Sequence, residues 1–139
     1  TYVAQLAEAS VRDDGTPKVH RVWGAVDCGI AVNPNVVRVQ MEGGIGDGLG
    51  AVLYDEIERK DGKPQQNNFD GYRSLRIDEM PAVEVEAIQS EAEPTGAGAE
   101  PTGAGEPGTP PIGPAVAIAY CRLTGQRVRR LAFVKSIKT

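Results

Sequence analysis

One carboxylate has the surroundings of a working group. Glu106 lies in the run Gly105-Glu106-Pro107-Gly108-Thr109-Pro110-Pro111. Directly after it, Ile112, Ala115, Val116, Ala119, Tyr120 and Leu123 recur at a spacing that predicts a helix, which Gly125 ends. A carboxylate just ahead of a helix meets free amides and the positive end of the macrodipole, and flanking glycines let a bulky group reach its oxygens. A general base needs a place of that kind, rigid and reachable. The segment leading to it is dense in Gly and Pro, with 12 of the chain's 27 such residues between Pro94 and Pro114. Within it, Ala92-Glu93-Pro94-Thr95-Gly96-Ala97-Gly98 recurs letter for letter at Ala99 to Gly105. One dense segment in an otherwise patterned chain reads as a specialised loop, residues 92–111.

Other candidates have plainer explanations. His20 is the only histidine, and no Ser or Cys nucleophile motif accompanies it, so it reads as a strand residue. Glu84 and Glu86 alternate with Val83, Val85 and Ala87, the pattern of a strand with one wet face. Cys28 and Cys121 form no C-x-x-C pair, which argues against a zinc or iron–sulfur site made by this chain, and two buried free thiols are the expectation. The run Gly44-Ile45-Gly46-Asp47-Gly48-Leu49-Gly50 does not match G-x-G-x-x-G and lacks a G-K-[ST] ending.

These residues need a scaffold, and the patterning predicts an α+β, two-layer unit with two hairpins, a further strand and two main helices. Residues 1–11 and 18–27 read as strands joined through Asp14-Gly15, with His20, Val22, Gly24, Val26 and Cys28 sharing a face. Asn33-Pro34 opens a helix whose apolar stripe is Val37, Met41, Ile45 and Leu49. Its five glycines would cost roughly 4–5 kcal/mol in isolation. Either the helix stops near Gly43, or the glycines let another backbone or a ligand come close. Tyr54 to Arg59 reads as a strand followed by a tight turn at Asp61-Gly62, Ala82 to Ile88 as another strand, and Val128 to Val134 as a last extended piece.

Composition limits the function classes. The chain has 139 residues, the size of one core, and no apolar run approaches the ~20 residues of a membrane helix. The net charge is −4, so nucleic-acid binding would depend on the tail from Arg122 onward, where six Lys/Arg meet no acid. Between Asp78 and Glu106 there are eight acids and no base. Solvated faces or mutual attraction account for the two runs without nucleic acid.

Four stretches carry a resemblance: Val26-Asp27-Cys28-Gly29-Ile30-Ala31-Val32-Asn33-Pro34, Val39-Gln40-Met41-Glu42-Gly43-Gly44, Asn67-Asn68-Phe69-Asp70 and Gly105 to Pro111. In this order they resemble the C-terminal part of the molybdenum-binding subunit of the xanthine dehydrogenase and aldehyde oxidase family, in particular its isoquinoline 1-oxidoreductase large-subunit group. The resemblance implies that residues 1–139 are the C-terminal segment of a molybdopterin-binding domain. It implies a molybdenum hydroxylase that puts water-derived oxygen onto an N-heterocyclic aromatic or an aldehyde. Glu106 then matches the base, Gln40 the glutamine that contacts the pterin, and Gly43, Gly44 and Gly105 the close backbone around the cofactor. The same resemblance implies a molybdopterin dinucleotide carrying the molybdenum, with no metal ligand from this chain. The partners it implies are the remainder of the subunit, an iron–sulfur small subunit with [2Fe-2S] clusters, and a small-molecule substrate, with the compartment left open. The alternative is a cofactor-free structural or interaction domain on the same scaffold.

Overall fold

A computed structural model describes residues 1–88 and 102–138. Glu93, Glu100 and most of the repeated heptads lie outside these residues.

Strands β1 (Tyr2–Val11) and β2 (Pro17–Asp27) pair antiparallel, as the alternation and the Asp-Gly turn predict. Asp14 accepts hydrogen bonds from the Thr16 amide (3.0 Å) and hydroxyl (2.6 Å), and Gly15 takes the positive φ of 82° that the turn requires. The pairing register shifts between Glu8 and Ala9. Because of this bulge His20 does not share the buried face of Val22, Gly24 and Val26; it is exposed beside Arg21 and hydrogen-bonds Ser10 at 2.7 Å.

Helix α1 (Pro34–Leu53) begins at Asn33, whose side chain accepts from the Val36 amide at 3.3 Å. It continues through every glycine, which settles the two readings in favour of close approach. A Cβ on Gly48 would lie 2.5 Å from the Thr109 carbonyl oxygen and 2.8 Å from an Ile112 methyl. Glycine is therefore the condition for the crossing of α1 with helix α2 (Thr109–Thr124), and the packing gained there offsets the poor helix propensity. Gly125 ends α2 at φ 74°, its N–H donating to Cys121.

Two short strands, β3 (Arg59–Lys60) and β4 (Lys63–Pro64), form the second hairpin. The expected strand from Tyr54 shrinks to its last residue, because Glu56 and Glu58 turn toward Arg130 and Lys135 instead of entering a ladder. Strand β5 (Ala82–Ala87) then joins β2 in parallel, giving the sheet order β1-β2-β5. Both long helices pack on this sheet, with Val19 and Val22 meeting Ile45, Leu49, Ile112 and Val116 in one core. Around Met41 a second cluster collects Val26, Cys28 and Val37.

The extended piece expected at Val128 to Val134 is corrected: residues 128–132 form neither strand nor helix, and a helix, α3 (Phe133–Lys138), begins at its end. Phe133 is buried and Ile137, one turn on, packs against the same core, so a helical period decides the segment. Among the described residues the basic tail pairs with Glu56 and Glu58, not with the acids after Asp78. Both cysteines are free, but only Cys28 is buried; Cys121 is half-exposed on α2.

Candidate functional site

The segment from Thr102 to Gly108 is tied down at intervals. Thr102 donates from its amide (2.9 Å) and hydroxyl (3.0 Å) to the Cys28 carbonyl at the end of β2. Ala104 packs into the cluster of Val26, Cys28, Val37 and Met41. Gly108 is buried against α1, where a Cβ would meet the Met41 carbonyl oxygen at 2.7 Å and the Ile45 amide at 3.3 Å. Glu106 lies between Ala104 and Gly108 with an exposed side chain, and its carbonyl accepts from the Thr109 amide at 3.0 Å as α2 begins. A carboxylate anchored by backbone on both sides and open to solvent at its tip is fixed at its root without being enclosed.

The facing element is α1. Gln40 and Gly43 fall three residues apart, on one exposed face of the helix, next to the residues that receive Gly108. A Cβ on Gly43 would meet nothing within 4 Å, and the same holds for Gly103 and Gly105. Gly43 also borders a cleft of about 420 Å³ with Gly46, Asp47, Arg76 and Met80. Gly44 is different in kind. It is buried, and Gly108 and Thr109 lie 3.3 to 3.4 Å from where its Cβ would be. The structure thus sets Gly44 directly against Gly108 and Thr109, two to three residues after Glu106, and puts Gln40 and Gly43 on the exposed side of the same stretch of α1.

Two polar arrangements escaped the sequence. Gln5 on β1 donates its side-chain N–H to the Gly108 carbonyl at 2.8 Å, while its Oε1 is buried with no hydrogen-bond partner among the described residues. Its only signal was a polar residue in the inward row of Val3, Gln5 and Ala7. Glu79, in the 3₁₀ turn Ile77–Glu79, accepts from the Tyr54 hydroxyl (2.6 Å), the Arg76 amide (2.9 Å) and Arg73 (2.6 Å). Partial burial pushes its carboxyl upward, yet these donors outweigh that and hold it below the usual carboxylate range. Burial, and then the bond to Glu79, push the Tyr54 phenol up. No local pattern ties Tyr54, Arg73 and Glu79 together before folding.

Among the described residues no three His, Cys, Asp or Glu side chains stand together as a metal site. The donors at this edge are a carboxamide, open backbone at glycines and one carboxylate, which suit an organic cofactor that carries its metal on its own ligands. The residues present therefore fit a pterin-type group. No helix among the described residues is long and apolar enough to cross a membrane.

Comparison with known proteins agrees. Residues 1–81 match the family model described as molybdopterin cofactor-binding domain. The chain is 36% identical over 131 residues to isoquinoline 1-oxidoreductase subunit beta of Brevundimonas diminuta, covering 94% of this chain and 16% of that protein. It superposes on quinoline 2-oxidoreductase from Pseudomonas putida 86 with a TM-score of 0.79 at 18% identity, over 95% of this chain and 18% of that one. Against the aldehyde oxidoreductase from Desulfovibrio desulfuricans ATCC 27774 the TM-score is 0.76 at 25% identity, over 98% of this chain and 15% of that one. The chain thus spans about a sixth of the length of the first of these relatives. With a family model matched over more than half its length and a relative 36% identical over 94% of it, the chain belongs to the molybdopterin cofactor-binding domain family.

Proposed function

We propose that this chain is the C-terminal segment of the cofactor-binding subunit of a molybdenum hydroxylase, acting on an N-heterocyclic aromatic or an aldehyde, with Glu106 as the general base. The observation that carries this reading is the double anchoring of Glu106, by Ala104 in the Met41 cluster and by Gly108 on α1, next to the Gln40 turn. When bound, the molybdopterin dinucleotide supplies a Lewis-acidic metal and a place for the electrons removed from substrate. The chain supplies part of the pocket. Gln40 offers a carboxamide to the pterin, and Gly43 and Gly105 leave room for its approach. Gly44 serves the same site by admitting Gly108 and Thr109, which set the loop at its working distance. The Glu106 carboxylate takes the proton that leaves the attacking oxygen, and its rigid backbone keeps it aimed without reorganisation. An iron–sulfur small subunit with [2Fe-2S] clusters would accept the electrons, and the remainder of the large subunit would complete the pocket.

The test is Glu106→Gln in the assembled enzyme, which keeps size and removes the basic oxygen. Turnover should fall by about 10²- to 10⁴-fold, the usual share of a general base, while molybdenum and pterin contents stay at wild-type levels. Near-normal turnover would remove Glu106 from this role, and a chain that never acquires molybdenum in its natural assembly would remove the function.

A further inference from the structure

Gln5 makes a hydrogen bond that fixes the loop and keeps a buried oxygen that finds no partner among the described residues. Stability alone does not favour such a side chain. A buried acceptor with no partner is destabilising, and an apolar residue of the same shape would avoid that. Where a fold retains an unsatisfied polar atom, the group is commonly kept for what its other end does. The other end here holds the Gly108 carbonyl, two residues from Glu106 and on the peptide that leads into α2. Gly108 already presses on Met41 and Ile45 from the α1 side, so the Gln5 bond meets the loop from the sheet side. Together they pin the peptide between the sheet and α1.

We propose that Gln5 is a positioning residue for the Glu106 loop, retained at some expense in stability to hold the carboxylate at a set place relative to α1. This inference rests on the reading of Glu106 as the base. It predicts an inverse relation between fold stability and loop order that a merely structural glutamine would not show.

The experiment uses Gln5→Met in the assembled enzyme, with Glu106→Gln beside it. Amide exchange across Gly105 to Thr109 should quicken at least about tenfold, since the Gly108 peptide loses its hydrogen bond to the sheet. Tm should stay level or rise, and molybdenum content should not change. The kcat should fall about tenfold, with its pH profile displaced and KM little altered, as expected when a base is misplaced slightly and binding is intact. Wild-type exchange in the loop, or a wild-type kcat and pH profile in a variant whose Glu106→Gln counterpart is inactive, would overturn the proposal. If Glu106→Gln itself proves active, the base assignment fails, and loop exchange alone still decides whether Gln5 holds the loop. Should Gln5→Met fail to fold, Gln5→Leu carries the same test, because it too has no donor for the Gly108 carbonyl. A loosened loop in that variant supports the proposal and a wild-type loop overturns it.

Discussion

The Tyr54 hydroxyl donates to Glu79 Oε1 at 2.6 Å, joining the end of α1 to the turn just ahead of β5. Arg73 binds the other carboxylate oxygen at 2.6 Å and lies over the Tyr54 ring, its guanidinium carbon 4.2 Å from the centroid. One carboxylate therefore secures both ends of the excursion between residues 54 and 79 and places Met80 against Gly46.

Replacing Glu79 by Gln should destabilise the chain by about 2 kcal/mol, because a charged acceptor of several partners becomes a neutral one. The pH dependence has a definite sign. Since the folded state holds Glu79 below its ordinary value, its contribution is present above the carboxylate range and is lost as pH falls through the folded value. Unfolding followed by denaturant from pH 7 downward should show wild type weakening below about pH 4, with a flatter curve for Glu79→Gln. Equal slopes would contradict the assignment.

Two alanine substitutions in α1 should act in opposite directions. At Gly48 the new methyl would meet the Thr109 carbonyl oxygen at 2.5 Å, backbone that cannot swing aside, so a loss of about 3 kcal/mol is expected. At Gly43 it would meet nothing within 4 Å, and the better helix former should add about 0.5–1 kcal/mol. Thermal unfolding measures both. In the assembled enzyme Gly43→Ala should also lower molybdenum occupancy, since the space it fills is the space assigned to the cofactor.

Tyr120 is buried on α2 and donates to the Gly15 carbonyl at 3.0 Å, tying the far end of that helix to the β1-β2 turn. Tyr120→Phe should cost about 1 kcal/mol, the worth of one such bond, and should speed amide exchange in residues 12–16 while leaving residues 105–109 unchanged. Loosening at both ends would mean that α2 transmits strain along its length.

The sequence was most legible where one local rule decided the outcome. Asp14-Gly15 set a turn, Asn33-Pro34 a helix start and Gly125 a helix end, and each is found as expected. It was less legible where a partner decided. The glycines of α1 could be read two ways until α2 was seen crossing them, and α3 emerged from the burial of Phe133, which no local alternation announces. His20 left its expected face because of a one-residue slip opposite Glu8, an event of pairing and not of either strand alone. In the site, Glu106 and Gln40 were visible through their motifs, whereas Gln5 lies 103 residues from its partner in an ordinary strand.

The seat of Gly108 on Met41 and Ile45 bears on the doubled heptad. Glu106 is placed from its C-terminal side, by a contact two residues away, and by Ala104 on the other. Whatever lies upstream of Thr102 attaches to a point already fixed at the Cys28 carbonyl. The contacts of Thr102, Ala104 and Gly108 thus fix the backbone on both sides of Glu106 from within the stretch that directly precedes α2.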